Sequence, residues 1–186
     1  EAKDAAKSVG GDIPESAREG LLEEVANLVE APNLVMGDFE ETFLALPKEV
    51  LVMVMRKHQR YFPVENADGS LKPHFITFAN GPCDVGVVKH GNEAVLQARY
   101  EDAKFFYESD LKKTLAEFKP ELSGITFQQE LGNMLDKTSR IEALVEDVAK
   151  ALGFGADVVS TAATAAGLAR ADLATSMVME LTALAG

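Results

Sequence analysis

Tryptophan is absent and cysteine occurs once, at Cys83. A single thiol can neither close an intramolecular disulfide nor supply a zinc ribbon, and it fits a reducing compartment. Only three imidazoles are present, His58, His74 and His90. None of them stands at the i, i+4 spacing of a helical zinc pair, and no dense carboxylate cluster accompanies them, so no metal site is expected. Neither a Walker pattern nor a dinucleotide fingerprint can be drawn through Gly81, Gly86, Gly91 or the glycines at 153 and 155, which leaves ATP binding unsupported. Nothing nominates a nucleophilic triad. Uninterrupted apolar runs of about 18 residues are missing, which argues against a membrane span, and residues 1–10 lack the basic start and apolar stretch of a secretory signal.

What is present is a chain of 186 residues, 47% apolar, enough for one large domain or two small ones with a real core. It opens on Glu1 instead of Met and stops at Gly186, which reads as a piece of a longer protein. Its formal charge of −12 argues against non-specific affinity for nucleic acid, and neither DNA nor a membrane is expected as a partner. The charge is uneven. Residues 53–113 carry nine Lys or Arg against eight acids, whereas the rest carries nine against 22.

Ser16 and Glu19 have the spacing of a capping box ahead of Leu21, Leu22, Val25, Leu28 and Val29, which recur at helical period until Pro32. Pro47 suits the first turn of a second helix whose stripe, Val50, Leu51, Val54 and Met55, runs into Arg56, Lys57, His58, Gln59 and Arg60. Two strands follow, at 61–64 and 74–78, joined across 66–69, where Asp68 and Gly69 favour a tight turn. Pro63 places the first strand at an edge or beside a bulge. A loop is expected to Gly91, then a helix capped by Asn92 and bearing Val95, Leu96, Arg99, Ala103 and Phe106, with a restart at Ser109. Beyond Pro120 the pattern is helical, interrupted at 153–155. These elements predict an α+β fold with an N-terminal helical extension at 1–20, a mixed module at 21–119 and a helical segment at 120–186.

One cluster stands out chemically. Met55-Arg-Lys-His-Gln-Arg-Tyr-Phe-Pro63 sets cations and polar donors before adjacent aromatics. Arg and Lys contact phosphates, and Tyr61 or an imidazole stacks on an exposed base or bonds to a ribose. The bland reading of the same residues is a helix C-terminus whose cations complement the dipole before the chain enters a strand.

The run from Met55 to Val64, then Phe75-Ile-Thr-Phe-Ala-Asn80, Gly91-Asn-Glu-Ala-Val-Leu-Gln-Ala-Arg99 and Asp102-Ala-Lys-Phe-Phe106, resembles the β-subunit of the tetrameric, bacterial and plastid type of glycyl-tRNA synthetase. Phe127-Gln-Gln-Glu-Leu-Gly132, Asp136-Lys-Thr-Ser-Arg-Ile141 and the segment from Ala171 to Glu180 continue the resemblance in the same order.

That resemblance implies an internal piece of a glycine–tRNA ligase. In the family the α-subunit, or the α-portion where both are fused, binds ATP, glycine and magnesium and forms the adenylate, while the β-part recognises tRNA(Gly) and self-associates in the tetramer. No cofactor is then expected in this chain. The resemblance further implies a module like the tRNA-anchoring domain of the phenylalanyl enzyme's β-subunit, followed by the start of a helical HD-type domain, in a bacterial cytoplasm, a plastid stroma or a mitochondrion. The residues expected to meet tRNA are Arg56, Lys57, His58, Arg60 and Tyr61, with Asn92, Arg99 and Lys104 second. Two alternatives remain. One is a scaffold between synthetase domains, in which Tyr61 and Phe62 pack and Arg56 or Arg60 pairs with Glu93 or Glu101. The other is a metal-dependent HD phosphohydrolase, although no histidine occurs after His90.

Overall fold

A computed structural model describes residues 1–186, the side chain of Ala17 excepted. Helices α1 (Ala2–Ser8), α2 (Glu15–Arg18) and α3 (Leu21–Leu28) precede strand β1 (Pro32–Asp38). Helix α4 (Lys48–Met53) runs into a π-helical turn, Val54–Gln59, and then come β2 (Phe62–Glu65), β3 (Leu71–Asn80) and the long α5 (Val85–Asp110). Helix α6 (Leu115–Phe118), the small hairpin β4 (Thr126–Gln128) and β5 (Gly132–Asn133), and helices α7 (Met134–Ala151), α8 (Ala156–Leu168) and α9 (Ser176–Glu180) complete an α+β chain. The backbone clusters into two compact units, Glu1–Phe105 and Phe106–Gly186.

In the first unit β3 lies at the centre of an antiparallel sheet, between β1 and β2. Side chains alternate across a strand. Leu34, Met36, Ile76, Phe78, Phe62 and Val64 therefore share one face, and they pack with Ala6, Leu21 and Val25 from α1 and α3. Phe75 and Val35, both fully buried, face the other way. At Gly37 a Cβ would stand 2.2 Å from the Phe75 ring, so this point of β1 requires glycine. Nearby, Tyr100 of α5 sits edge-on to Phe39 at 5.1 Å and tilted to Phe43 at 5.4 Å, and its hydroxyl donates to the Leu51 carbonyl.

The hairpin of β2 and β3 forms where expected, with β2 at the sheet edge and a register shift between Pro63 and Glu65. Other expectations need correction. The Ser16–Glu19 box does not form. Pro14 precedes α2, Glu19 is extended, and α3 starts after Gly20 with no side-chain cap. Strand β1 was not anticipated, because Pro32, which ends a helix, also serves as the first residue of an edge strand. Helix α5 begins at Val85, not at Asn92; the Asp84 carboxylate accepts from the amides of Gly86 and Val87 and supplies the cap. No restart occurs at Ser109, and the next helix starts after Thr114, which forms a capping box with Glu117.

In the second unit Phe118, Leu122, Ala171 and Ala174 form a buried cluster, with Ile125, Met134 and Leu135 against it. Asn133 and Asp136 form a second capping box at the start of α7. The Asp110 carboxylate accepts from the amides of Ser176 and Met177 at the start of α9.

Candidate nucleic-acid interface

The cationic cluster occupies a wide helical turn with a sharp end. α4 opens into π geometry over Val54–Gln59, with Val54 and Met55 buried. Such turns are rare and concentrate at functional sites. Arg60 then adopts the left-handed conformation, φ 58 and ψ 36, and the Tyr61 amide donates to the Met55 carbonyl at 2.9 Å, which closes the helix. Arg56, Lys57 and His58 thus project from a last turn whose unsatisfied carbonyls favour positive charge.

The arginines are tied to the chain ahead of and within α3. Arg56 Nη2 donates to the Glu19 carbonyl at 3.0 Å, and Arg60 Nε donates to Glu24 Oε1 at 2.6 Å. Both members of the Arg60–Glu24 pair are about half exposed, so the contact is weak in free energy, at about 0.2–1 kcal/mol. Between these elements is a depression of about 250 Å³ lined by Glu19, Gly20, Leu21, Glu24, Arg56 and Lys57. Lys57 and His58 are exposed.

Tyr61 departs from its expected use. Its ring is only 4% exposed and stacks on Phe75 with centroids 4.5 Å apart and planes 12° from parallel. Burial pushes the phenol up to about 12. The ring is therefore part of the core, as is Phe62 at 2% exposure. The pairing proposed for a pure scaffold also differs, since Arg60 meets Glu24 and Glu93 is used elsewhere. Asn92, Arg99 and Lys104 lie along α5, Arg99 exposed and the other two half-buried. Among the described residues no hydrogen bond or ion pair joins them to the Arg56–Arg60 turn.

A second polar group escaped the sequence reading. Asp38 and His74 are cross-strand partners, with His74 Nδ1 2.6 Å from Asp38 Oδ1, and Lys89 Nζ lies 2.6 Å from Asp38 Oδ2. Glu93 completes the group by accepting from the Asp38 amide at 2.9 Å and standing 3.4 Å from Lys89. Burial pushes the Asp38 carboxyl up, but the hydrogen bonds and charges of Lys89 and His74 outweigh it and hold the group below the usual carboxylate range. Chiefly through its hydrogen bond to Asp38, Lys89 is raised. This network bonds α5 to the end of β1. Only the strand register brings its members together, so no local motif announces it. Among the described residues no three His, Cys, Asp or Glu side chains are placed to hold a metal ion, and no helix is long and apolar enough to cross a membrane.

The sequence profile described as glycyl-tRNA synthetase beta subunit matches residues 1–186. The chain belongs to the glycyl-tRNA synthetase beta-subunit family. It is 51% identical over 181 residues to the chloroplastic/mitochondrial glycine–tRNA ligase 2 of Arabidopsis thaliana, covering 97% of this chain and 17% of that protein. Against the glycine–tRNA ligase beta subunit of Synechocystis sp. it is 47% identical over 169 residues, 90% of this chain and 23% of the relative. The beta subunit of Histophilus somni is 46% identical over 184 residues, 97% and 26% respectively. The chain thus spans about a sixth to a quarter of the length of these curated relatives of the glycyl-tRNA synthetase family.

Proposed function

We propose that this chain is the part of a glycine–tRNA ligase that positions tRNA(Gly) while glycylation, driven by ATP, takes place on the α-subunit or α-portion. The observation that carries the reading is the π-helical turn, which holds Lys57 and His58 in solvent beside Arg56 and the small depression at Gly20. Cations on a fixed backbone turn meet phosphate oxygens with little loss of backbone freedom, and they fix register without reading sequence. Burial of Tyr61 removes base stacking from this turn and leaves phosphate contact, with His58 as a hydrogen-bond donor. Arg60 contributes by exchanging its half-exposed Glu24 partner for a phosphate. Arg99 and Lys104 offer further cations on α5, and Asn92 adds an amide.

In the same reading residues 1–20 are an extension, 21–119 act as a tRNA-anchoring module similar to that of the phenylalanyl enzyme, and 120–186 begin a helical HD-type domain. ATP and magnesium belong to the α-part, β-subunits associate with one another, and the assembly works in a bacterial cytoplasm or an organelle. Cross-linking of tRNA(Gly) to the complete ligase tests the role of the turn: cross-links at Lys57 and His58 support it. A map that avoids residues 56–60 altogether transfers the turn to the scaffold reading, which draws on the packing of Tyr61 and Phe62.

A further inference from the structure

The hairpin of β4 and β5 places an aromatic ring and two cations at the start of α7, away from the turn described above in the chain. Lys137 Nζ lies over the Phe127 ring, 3.9 Å from its centroid. The ring is 37% exposed. Arg140 is exposed and stands three positions after Lys137, on the same side of the helix. Neither cation has a carboxylate partner among the described residues, whereas Lys48, Arg60, Lys89, Lys113, Lys119 and Lys150 each have one.

The platform is braced by hydrogen bonds. Gln128 Oε1 accepts from the amides of Glu130 and Leu131 at 2.7 and 2.8 Å, which fastens the hairpin turn. Gly132, at φ 83, lets the chain pass so close to Asp136 that a Cβ there would stand 2.2 Å from its carboxylate oxygen. Asn133 and Asp136 cap each other's amides, and the Met134 amide donates to the Ile125 carbonyl. Phe127 is thereby held over the first turn of α7. Asp136 is occupied by the cap, and Glu130 is the one acid on the hairpin itself.

We infer that Phe127, Lys137 and Arg140 form a second RNA contact, in which an unpaired nucleobase stacks on Phe127 and the two cations bind the phosphates flanking it. An exposed aromatic flanked by unpaired cations is the arrangement that takes single-stranded nucleic acid without reading its sequence. Lys137 leaves the ring for a phosphate as the base arrives, so the ammonium exchanges a weak contact for a charge-assisted one. This inference rests on the tRNA-positioning reading and adds a single-stranded element to it.

The test is tRNA(Gly) affinity of the complete ligase across a salt series. Phe127→Ala is expected to weaken binding about tenfold or more, the loss of one stacked base, with the salt slope unchanged. Phe127→Tyr restores the affinity. Lys137→Gln with Arg140→Gln lowers the log–log salt slope by about 1.4, two single-strand phosphates' worth. Arg140 makes no contact with the hairpin's bonding network, so Arg140→Gln alone, which lowers the slope by about 0.7, guards against misfolding of the hairpin variants. Unchanged affinity in Phe127→Ala and Arg140→Gln, with Lys57→Ala still impaired, overturns this inference and leaves the first contact standing. If Lys57→Ala is also unimpaired, the tRNA reading itself fails. Loss of subunit assembly by Phe127→Ala, at unchanged tRNA affinity in the assembled fraction, assigns the hairpin to protein docking and also overturns the inference.

Discussion

Arg60 Nε lies 2.6 Å from Glu24 Oε1, and Arg60 is the one non-glycine residue with positive φ among those described. A single side chain thus combines a strained backbone with a half-exposed ion pair. The left-handed conformation costs an L-residue about 1–2 kcal/mol, and glycine avoids that cost.

Arg60→Gly is therefore expected to be more stable than Arg60→Ala by about 1 kcal/mol in urea unfolding, since both lose the pair and only glycine relieves the backbone. Both variants are expected to bind tRNA(Gly) more weakly than wild type. Equal stability of the two would show that the left-handed turn does not persist in solution.

Gly37→Ala places a methyl carbon within the Phe75 ring's van der Waals envelope. A loss of about 1–3 kcal/mol in unfolding free energy is expected, read as a lower urea midpoint at unchanged slope.

Asp38 confers a pH dependence of definite sign. Its folded carboxyl is held below the unfolded value by Lys89 and His74, despite burial. The stabilisation is therefore fully present above the unfolded carboxylate range, near about pH 4, and it is lost as pH falls through the folded value. Wild type should exceed Asp38→Asn in stability at neutral pH, with the gap closing below about pH 4. A gap that stays constant down to acid unfolding would contradict the network.

Tyr61→Phe keeps the stack on Phe75 and is expected to leave tRNA affinity unchanged, because the phenol is buried. Tyr61→Ala removes a core ring and is expected to lower stability by about 3–5 kcal/mol. A selective loss of tRNA affinity in Tyr61→Phe would restore the base-stacking role that the fold denies it.

Local patterns were legible where one short segment held both the periodicity and the turn chemistry. The 66–69 turn with Asp68 and Gly69, between two β-rich runs, gave away the β2–β3 hairpin, and Pro63 marked its irregular edge. Strand β1 was hidden because Leu34 to Met36 is too short for either period and abuts a helix. The true start of α5 was masked by Gly86 and Gly91, poor helix formers that Asp84 and the long helix tolerate.

The charged turn at 56–60 was visible by composition, but nothing local discloses which way Tyr61 points. Its burial follows from stacking on Phe75, a residue of β3. Partners far apart in the chain were equally invisible: Arg60 and Glu24 are separated by 36 positions, and Asp38 and Lys89 by 51. The resemblance to the synthetase family was readable throughout, since it rests on ordered segments and needs no knowledge of contacts.

The most direct test of the central claim is tRNA(Gly) affinity of the complete ligase carrying Arg56→Ala, Lys57→Ala and Arg60→Ala together, measured across a salt series. A fall of about tenfold or more at physiological salt, with the log–log salt slope reduced by about 2–3, is predicted for the loss of two to three phosphate contacts. Affinity and slope both equal to wild type would contradict the account.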